Sequence, residues 1–397
     1  MRTGLPRSII VLSIISFTVA VGFGVMLPVL PVFAQSFHVG TFEASAVISA
    51  FALARLAFAP AVAPLVNRFG ERTVLGIGMF IVAASTAIAA LSGSYLQFLV
   101  LRGLGGIGSA MFTVSAMTLV LTTVSAEQRG RAAGMYQGGF LLGGMAGPAI
   151  GGVLAAVSLT APFFFYAAAL AVAGVIGLAL LRSSGRQRDI TPGAAPRPFR
   201  QVLRDARYQA ALVAGLGQGW NSFGTRNSLV PILVVTVLQH DPVWTGIAFT
   251  VSAVVQTLLL APAGRFVDTV GRRPAMITSG VVCAVGIVGV SLAGNIWVLI
   301  GMLALYGAGS AFQGTAPAAA VGDAAGGRTG TPVAVFSMIT DAGAILGPLV
   351  GGWLADQGSF PLGFGVGAVL LLAGSLLALR MPPGVPSRTD DGVSAAR

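Results

Sequence analysis

Lysine is absent from this sequence: all 23 basic side chains are arginine, a matter of composition rather than mechanism. Charge of either sign is scarce, 9% of 397 residues, where a soluble globular chain carries about 25%. That excludes a soluble globular protein. Cysteine occurs once, at Cys283 inside an apolar run, which rules out disulfides and thiolate metal clusters. The two histidines, His38 and His240, fall in loops and form no metal constellation. No G-x-x-x-x-G-K-[ST] loop occurs, so ATP drive within the chain is unsupported. No cofactor is expected.

What the chain has instead is apolar length. Hydrophobic residues make up 55%, and several runs exceed the roughly 20 residues needed to cross ~30 Å of hydrocarbon. Glycine, at 55 residues, is about twice its usual frequency, as close packing of membrane helices requires. Charges and turn residues divide the runs into twelve predicted spans: 8–33, 43–66, 73–93, 95–122, 131–158, 161–181, 208–236, 245–266, 273–293, 296–320, 331–355 and 360–380. The first is too long for a secretory signal, whose apolar region runs roughly 7–15 residues, so it reads as a retained helix. The expected class is an all-α membrane protein of twelve transmembrane helices in two six-helix halves, 1–181 and 208–380. Between them lies a basic linker, 182–207, and after them a tail, 381–397. The linker holds seven arginines and three prolines, and its end, from Phe199, suggests a short helix on the membrane surface.

A net charge of +11 would suit nucleic acid, but arginine placement points to membrane topology instead. Only Arg55, Arg102 and Arg226 fall well inside spans. The others lie at the termini, in loops after even-numbered spans, or at the span ends bordering them, and loops after odd-numbered spans have none. Positive loops stay in the cytoplasm, which places both termini and the linker there, in the plasma (inner) membrane of the cell.

The halves repeat one another. Gly143, Gly147, Pro148, Gly151 and Gly152 in span 5 form G-x-x-x-G-P-x-x-G-G, and Gly343, Gly347, Pro348, Gly351 and Gly352 in span 11 form it again 200 residues later. Glycines four apart line one helix face and admit a second backbone, and each proline predicts a local bend. The loop after span 2, with Asn67, Arg68, Gly70 and Arg72, matches the loop after span 8, with Asp268, Gly271, Arg272 and Arg273. Gly106 to Ala110 likewise match Gly307 to Ala311. This is a parallel repeat of two halves, an arrangement found in transporters.

With these residues in view the chain resembles the major facilitator superfamily, most closely its twelve-helix drug:proton antiporter branch. Three motifs carry the resemblance: the basic loop and its copy, Arg102-x-x-x-Gly106, and the glycine–proline motif of span 5, which is associated with exporters that exchange substrate for a cation. The resemblance implies a cavity lined by spans 1, 4, 7 and 10 that opens alternately to either side. It implies that span 5 packs on span 8, and span 2 on span 11, across the seam between halves. It also implies that the acid of the loop motif latches the outward-facing state. Asp268 keeps that acid, while the first copy has Asn67, with Glu71 where a base is usual, so the first-half latch is expected to be weak.

A charge at a helix centre costs on the order of 2.5–3.5 kcal/mol, so Arg55, Arg102, Arg226 and Asp341 each need a partner, a pathway or a role. Asp341 is the only acid among them. A carboxylate that alternates between an arginine and an apolar setting takes up and releases a proton, which makes Asp341 the proton-coupling candidate. The alternative is a static ion-pair partner. Arg55 is its expected partner if spans 2 and 11 pack as the resemblance implies, and Arg226 is the rival. Arg102, to which the resemblance gives a role in coupling or substrate contact, begins a face that continues through Ser109 and Thr113. In span 7, Gln218, Ser222 and Thr225 share a face with Trp220, Asn221 and Arg226 close to it; in span 10, Tyr306, Ser310 and Gln313 do the same. These are the candidate cavity-lining residues, with interhelical bonding as their alternative role. Gln256, Gln137 and Tyr136 are weaker candidates. Three arginines against one acid give the membrane interior a positive sign, which favours neutral or anionic amphipathic substrates.

The expected function is therefore export of small amphipathic molecules by a monomeric carrier in the lipid bilayer, in exchange for protons. An importer or facilitator of a nutrient keeps the fold with another task. A membrane-embedded transferase lacks any nucleophile–base constellation, so no enzyme and no nucleic-acid partner are expected.

Overall fold

The computed structural model describes residues 6–124, 128–181, 199–325 and 330–382. Among the described residues every regular element is helical. The first half comprises α1 (Arg7–Met26), α2 (Leu30–Gln35), α3 (Thr41–Phe69), α4 (Glu71–Ala89), α5 (Tyr95–Thr123), α6 (Arg129–Val157) and α7 (Ala161–Leu180). The second comprises α8 (Phe199–Arg204), α9 (Ala206–Gln218), α10 (Arg226–Ile232), α11 (Pro242–Thr269), α12 (Arg272–Ser291), α13 (Ile296–Gln313), α14 (Ala316–Ala325), α15 (Gly330–Asp356) and α16 (Phe360–Ala378). Eleven helical stretches are long and apolar enough to cross a membrane. The remaining span runs from Ala206 to Val237 in four consecutive pieces, α9 and α10 each being followed by a π-helical segment, Gly219–Thr225 and Leu233–Val237.

The element breaks have local causes. Pro28 follows the end of α1, and Pro31 opens the short α2, so span 1 is two helices rather than one. Pro148 and Pro348 lie within helices that continue through them. The loops after α3 and α11 turn at Gly70 (φ 79°) and Gly271 (φ 119°), backbone conformations that a side chain would strain. The end of the linker forms α8 as expected and buries Val202 beside Tyr208 in the second-half core. The remainder of the linker, 182–198, and the tail from 383 lie outside the described residues.

Each half holds its own core. Buried residues from Ile9 to Leu181 form one large cluster, which Ile232 joins from the second half and against which Phe360 packs. Leu229 to Leu371 form another. The repeated glycine motif serves these cores directly. A methyl added at Gly143, Gly147 or Gly151 would strike the carbonyls of Phe17, Val21 or Val25 on α1. One added at Gly343 or Gly347 would strike Leu216 or Trp220 on span 7, and Gly351 abuts Thr225. The glycine faces therefore join helices of one half, whereas the resemblance directed the span 5 motif toward the seam. Spacing explains the difference, because residues four apart share a face and the next residue is turned about 100° away. It is that next residue, Gly152 or Gly352, that reaches across. Gly152 meets Val243 and Gly246 of α11, and Gly352 meets Thr41, Phe42 and Ser45 of α3.

Candidate functional site

The seam encloses a cavity with two lobes that share Phe23, Leu27, Phe223 and Asn227. The smaller, about 220 Å³, lies between α1, α3, α5 and α15 and is lined by Arg55, Arg102, Asn227 and Asp341 among apolar residues such as Met26, Leu30, Ile48 and Phe51. The larger, about 550 Å³, lies between α6, α11 and span 7 and carries Gln137, Gln218, Ser222, Arg226 and Gln256. It extends toward the end of the molecule that bears the arginine-rich loops, reaching Gly134 near the start of α6 and Leu260 on α11. At the opposite end the halves touch through Gly152 and Gly352 and through Ser49, whose hydroxyl donates to the Ile345 carbonyl at 2.7 Å. Asp356 adds two bonds there, accepting from the backbone N–H groups of Thr41 and Phe42 at 2.7 Å each.

The smaller lobe is assembled by close helix approach. Gly106, four residues after Arg102, admits the α3 backbone at Phe51 and Arg55 against α5. The Phe51 ring then lies 4.7 Å below the Arg102 guanidinium, within cation–π range. Arg102 is 3% exposed, and its Nε and Nη1 are buried with no hydrogen-bond acceptor among the described residues. On α15, Thr340 abuts Gly219 and Gly343 abuts span 7, which fixes the helix on either side of Asp341. Arg55 Nη2 donates to Asp341 Oδ1 at 2.7 Å across the seam. Both side chains keep access to the cavity, at 37% and 28% exposure. Arg226, the rival partner, lies instead in the other lobe. It stands 5.3 Å from the Phe249 ring and 5.7 Å from that of Tyr306, and its Nε is 3.4 Å from Asn227 Oδ1.

Several expected lining residues stand elsewhere. Asn221 is fully buried, and its amide donates to the carbonyls of Gly217 (2.9 Å) and Gly367 (3.0 Å), tying span 7 to α16. Trp220 is buried against the glycines of α15. Tyr306, Ser310 and Gln313 are all buried. Tyr306 bonds Ser222 at 2.8 Å, and Gln313 accepts from Ser279 and donates to Ala214 O. Thr113 turns its hydroxyl onto the Ser109 carbonyl, and neither residue lines a lobe. In span 7, Gln218, Ser222 and Arg226 line the larger lobe, whereas Thr225, which a regular α-helical period would set beside Gln218 and Ser222, is buried against Gly347 and Gly351; the wide turns of the π segment account for that displacement. Of the weaker candidates, Gln137 and Gln256 line the larger lobe, whereas Tyr136 is buried and its carbonyl accepts from Ser16. Sequence reasoning passed over Phe51 and Asn227, although an asparagine beside an arginine in an apolar run was a usable signal.

The loop residues do not form a latch between halves in this conformation. Asn67 and Arg68 are exposed, and Arg68 lies against its neighbour Phe69. Arg72 and Arg273 are half-buried. Asp268 is 75% exposed and 3.7 Å from Arg272 of its own half. Arg272 pairs more closely, at 2.9 Å, with Asp323 on α14. No cluster of three or more His, Cys, Asp or Glu side chains suited to a metal occurs among the described residues.

A cavity lined by three arginines and one paired acid, set between two six-helix bundles of membrane-spanning length, is the arrangement of a membrane transporter. The chain belongs to the Major Facilitator Superfamily, whose sequence model matches residues 12–241 and 218–396. It is 25% identical to Multidrug resistance protein 2 of Bacillus subtilis (strain 168), over 86% of each chain. It is 23% identical to Quinolone resistance protein NorA of Staphylococcus aureus (strain MRSA252), covering 88% of this chain and 90% of that one. A bacterial homologue of the human lysosomal transporter Spinster, in an inward-facing and occupied conformation, superposes with a TM-score of 0.77 at 14% identity, over 95% of this chain and 97% of that chain. The nucleoside transporter NupG superposes with a TM-score of 0.74 at 16% identity, over 94% and 99%.

Proposed function

We propose that this protein exports small amphipathic molecules across the plasma membrane by alternating access, in exchange for protons. The observation that carries the reading is the Arg55–Asp341 ion pair, formed across the seam, on the cavity lining and open to entering solvent. Protonating Asp341 and keeping that pair are mutually exclusive, so a proton arriving from outside releases one seam contact between α3 and α15. The similarity to multidrug and quinolone resistance proteins supports export. With the arginine-rich loops in the cytoplasm, the larger lobe faces the cell interior, where an exporter collects its cargo. The energetics suffice: a proton crossing 100 mV yields about 2.3 kcal/mol, and a hundredfold gradient of a neutral substrate costs roughly 2.7, the remainder coming from a pH gradient or a second proton.

Arg102 and Arg226 have no acid partner among the described residues, so the cavity has positive sign and suits neutral or anionic amphipaths. Preference for a permanently charged cation in transport assays would overturn that part. The test of coupling is proton movement in everted vesicles across a compound panel, comparing wild type with Asp341→Asn. Loss of substrate-driven proton release in the variant, with folding retained, is the expected result. Unchanged antiport would remove Asp341 from the coupling role.

A further inference from the structure

The start of α3 is capped from the other half of the molecule. The first amides of any helix lack intrahelical acceptors and need an outside partner. Here the N-cap position is Gly40, which has no side chain to offer, and no residue of the first half caps the helix. The partner is Asp356, the last residue of α15: Oδ1 accepts from Thr41 N–H and Oδ2 from Phe42 N–H, both at 2.7 Å. A carboxylate on a helix N-terminus combines charge-assisted hydrogen bonds with attraction to the positive end of the helix dipole. Glycine at 40 makes the approach possible, because a Cβ there would lie 2.9 Å from Asp356 Oδ2 and from Glu43 Oε2.

The location of this cap matters more than its strength. It joins α3 to α15 at the arginine-poor end, where Gly352 and Ser49 also close the seam. At the arginine-rich end, Asn67 is uncharged and exposed, and Asp268 stands 3.7 Å from Arg272 of its own half. The carboxylate cap therefore ties the two halves at the arginine-poor end of the seam.

We propose that Asp356 is the positioning residue that keeps the arginine-poor end shut, and that removing its carboxylate transfers population to the opposite-facing conformation. Because Asp356 is exposed at the rim, the latch can be undone from the aqueous phase without entry into the cavity. The proposal requires only that the two halves rock. It depends neither on the direction of transport nor on protons, so failure of the proposed antiport leaves it intact.

The experiment measures distance distributions by pulsed electron paramagnetic resonance on the full chain in lipid nanodiscs. Spin labels are attached at Gly93→Cys and Gly294→Cys, in loops of opposite halves at the arginine-poor end, in a Cys283→Ser background. Both glycines have open space around them. Asp356→Ala and Asp356→Asn are expected to raise the long-distance population at least fivefold, since an amide retains one acceptor but neither the charge nor the second oxygen. Asp356→Glu should restore most of the closed population. Gly40→Ser, which gives α3 a cap of its own and crowds the carboxylate, should shift the distribution the same way, and it decides the matter if the Asp356 variants fold poorly. A wild-type distribution in Asp356→Ala or, should that variant not fold, in Gly40→Ser would overturn the proposal. So would an equal shift in Asp356→Glu and Asp356→Ala, which would assign the effect to position rather than to the carboxylate.

Discussion

Arg102 and Asn221 are both buried polar residues, yet opposite outcomes are expected when they are replaced. The Arg102 guanidinium rests on Phe51 with two nitrogens unpartnered, so the fold gains little from its charge. Replacing a buried, poorly compensated ion by an apolar side chain of similar length is neutral or stabilising. Arg102→Met should therefore leave the thermal midpoint in detergent unchanged or raised, while substrate transport falls at least tenfold. Asn221 bonds two carbonyls on different helices, and Asn221→Ala should cost about 1 kcal/mol, read as a lower midpoint with transport reduced only in proportion to folded protein. Both residues are cavity-lining candidates in the sequence, Arg102 also a coupling one, because an isolated polar side chain in an apolar run has the same signature whether it faces a cavity or a neighbouring carbonyl. Arg55 and Asp341 were more legible, since charge inside a membrane demands a partner and few are available.

At the scale of elements, the glycine motif divides into two roles. Gly147 abuts Val21 and Gly24 of α1 within one half, whereas Gly152 abuts Val243 and Gly246 of α11 across the seam. Overpacking a tight helix contact costs roughly 1–3 kcal/mol. Gly147→Val should accordingly lower expression and the thermal midpoint, and Gly152→Val should spare the midpoint while changing the balance of conformations and the transport rate. Equal loss of stability in both would contradict this division. The sequence disclosed the helices and their ends closely because hydrophobic length and arginine punctuation are strong local signals. It disclosed neither the π segments of span 7 nor the break before Pro31 as such, and the first of these decides which polar residues reach the cavity. A π turn differs from an α turn by one residue of register, which no composition or spacing rule registers in a uniformly apolar run.

At the scale of the whole molecule, the cavity's open end makes a labelling prediction. Cys283 is fully buried, so the wild-type chain should be silent to a membrane-impermeant maleimide. Gly138→Cys and Gln256→Cys, both in the larger lobe, should react in inside-out vesicles and remain protected in intact cells. Labelling from outside alone would reverse the assigned orientation. The two-half plan itself was readable from the 200-residue repeat, but which end of the seam is closed was not, because closure rests on contacts between residues some 300 positions apart.

The separateness of the two cores has a consequence for how the chain can be made. Since the buried residues of each half pack almost wholly on one another, each half should fold without a covalent tie to its partner. Two polypeptides, residues 1–190 and 191–397, produced together in one cell should find each other in the bilayer, co-purify and recover measurable transport, while neither does so alone.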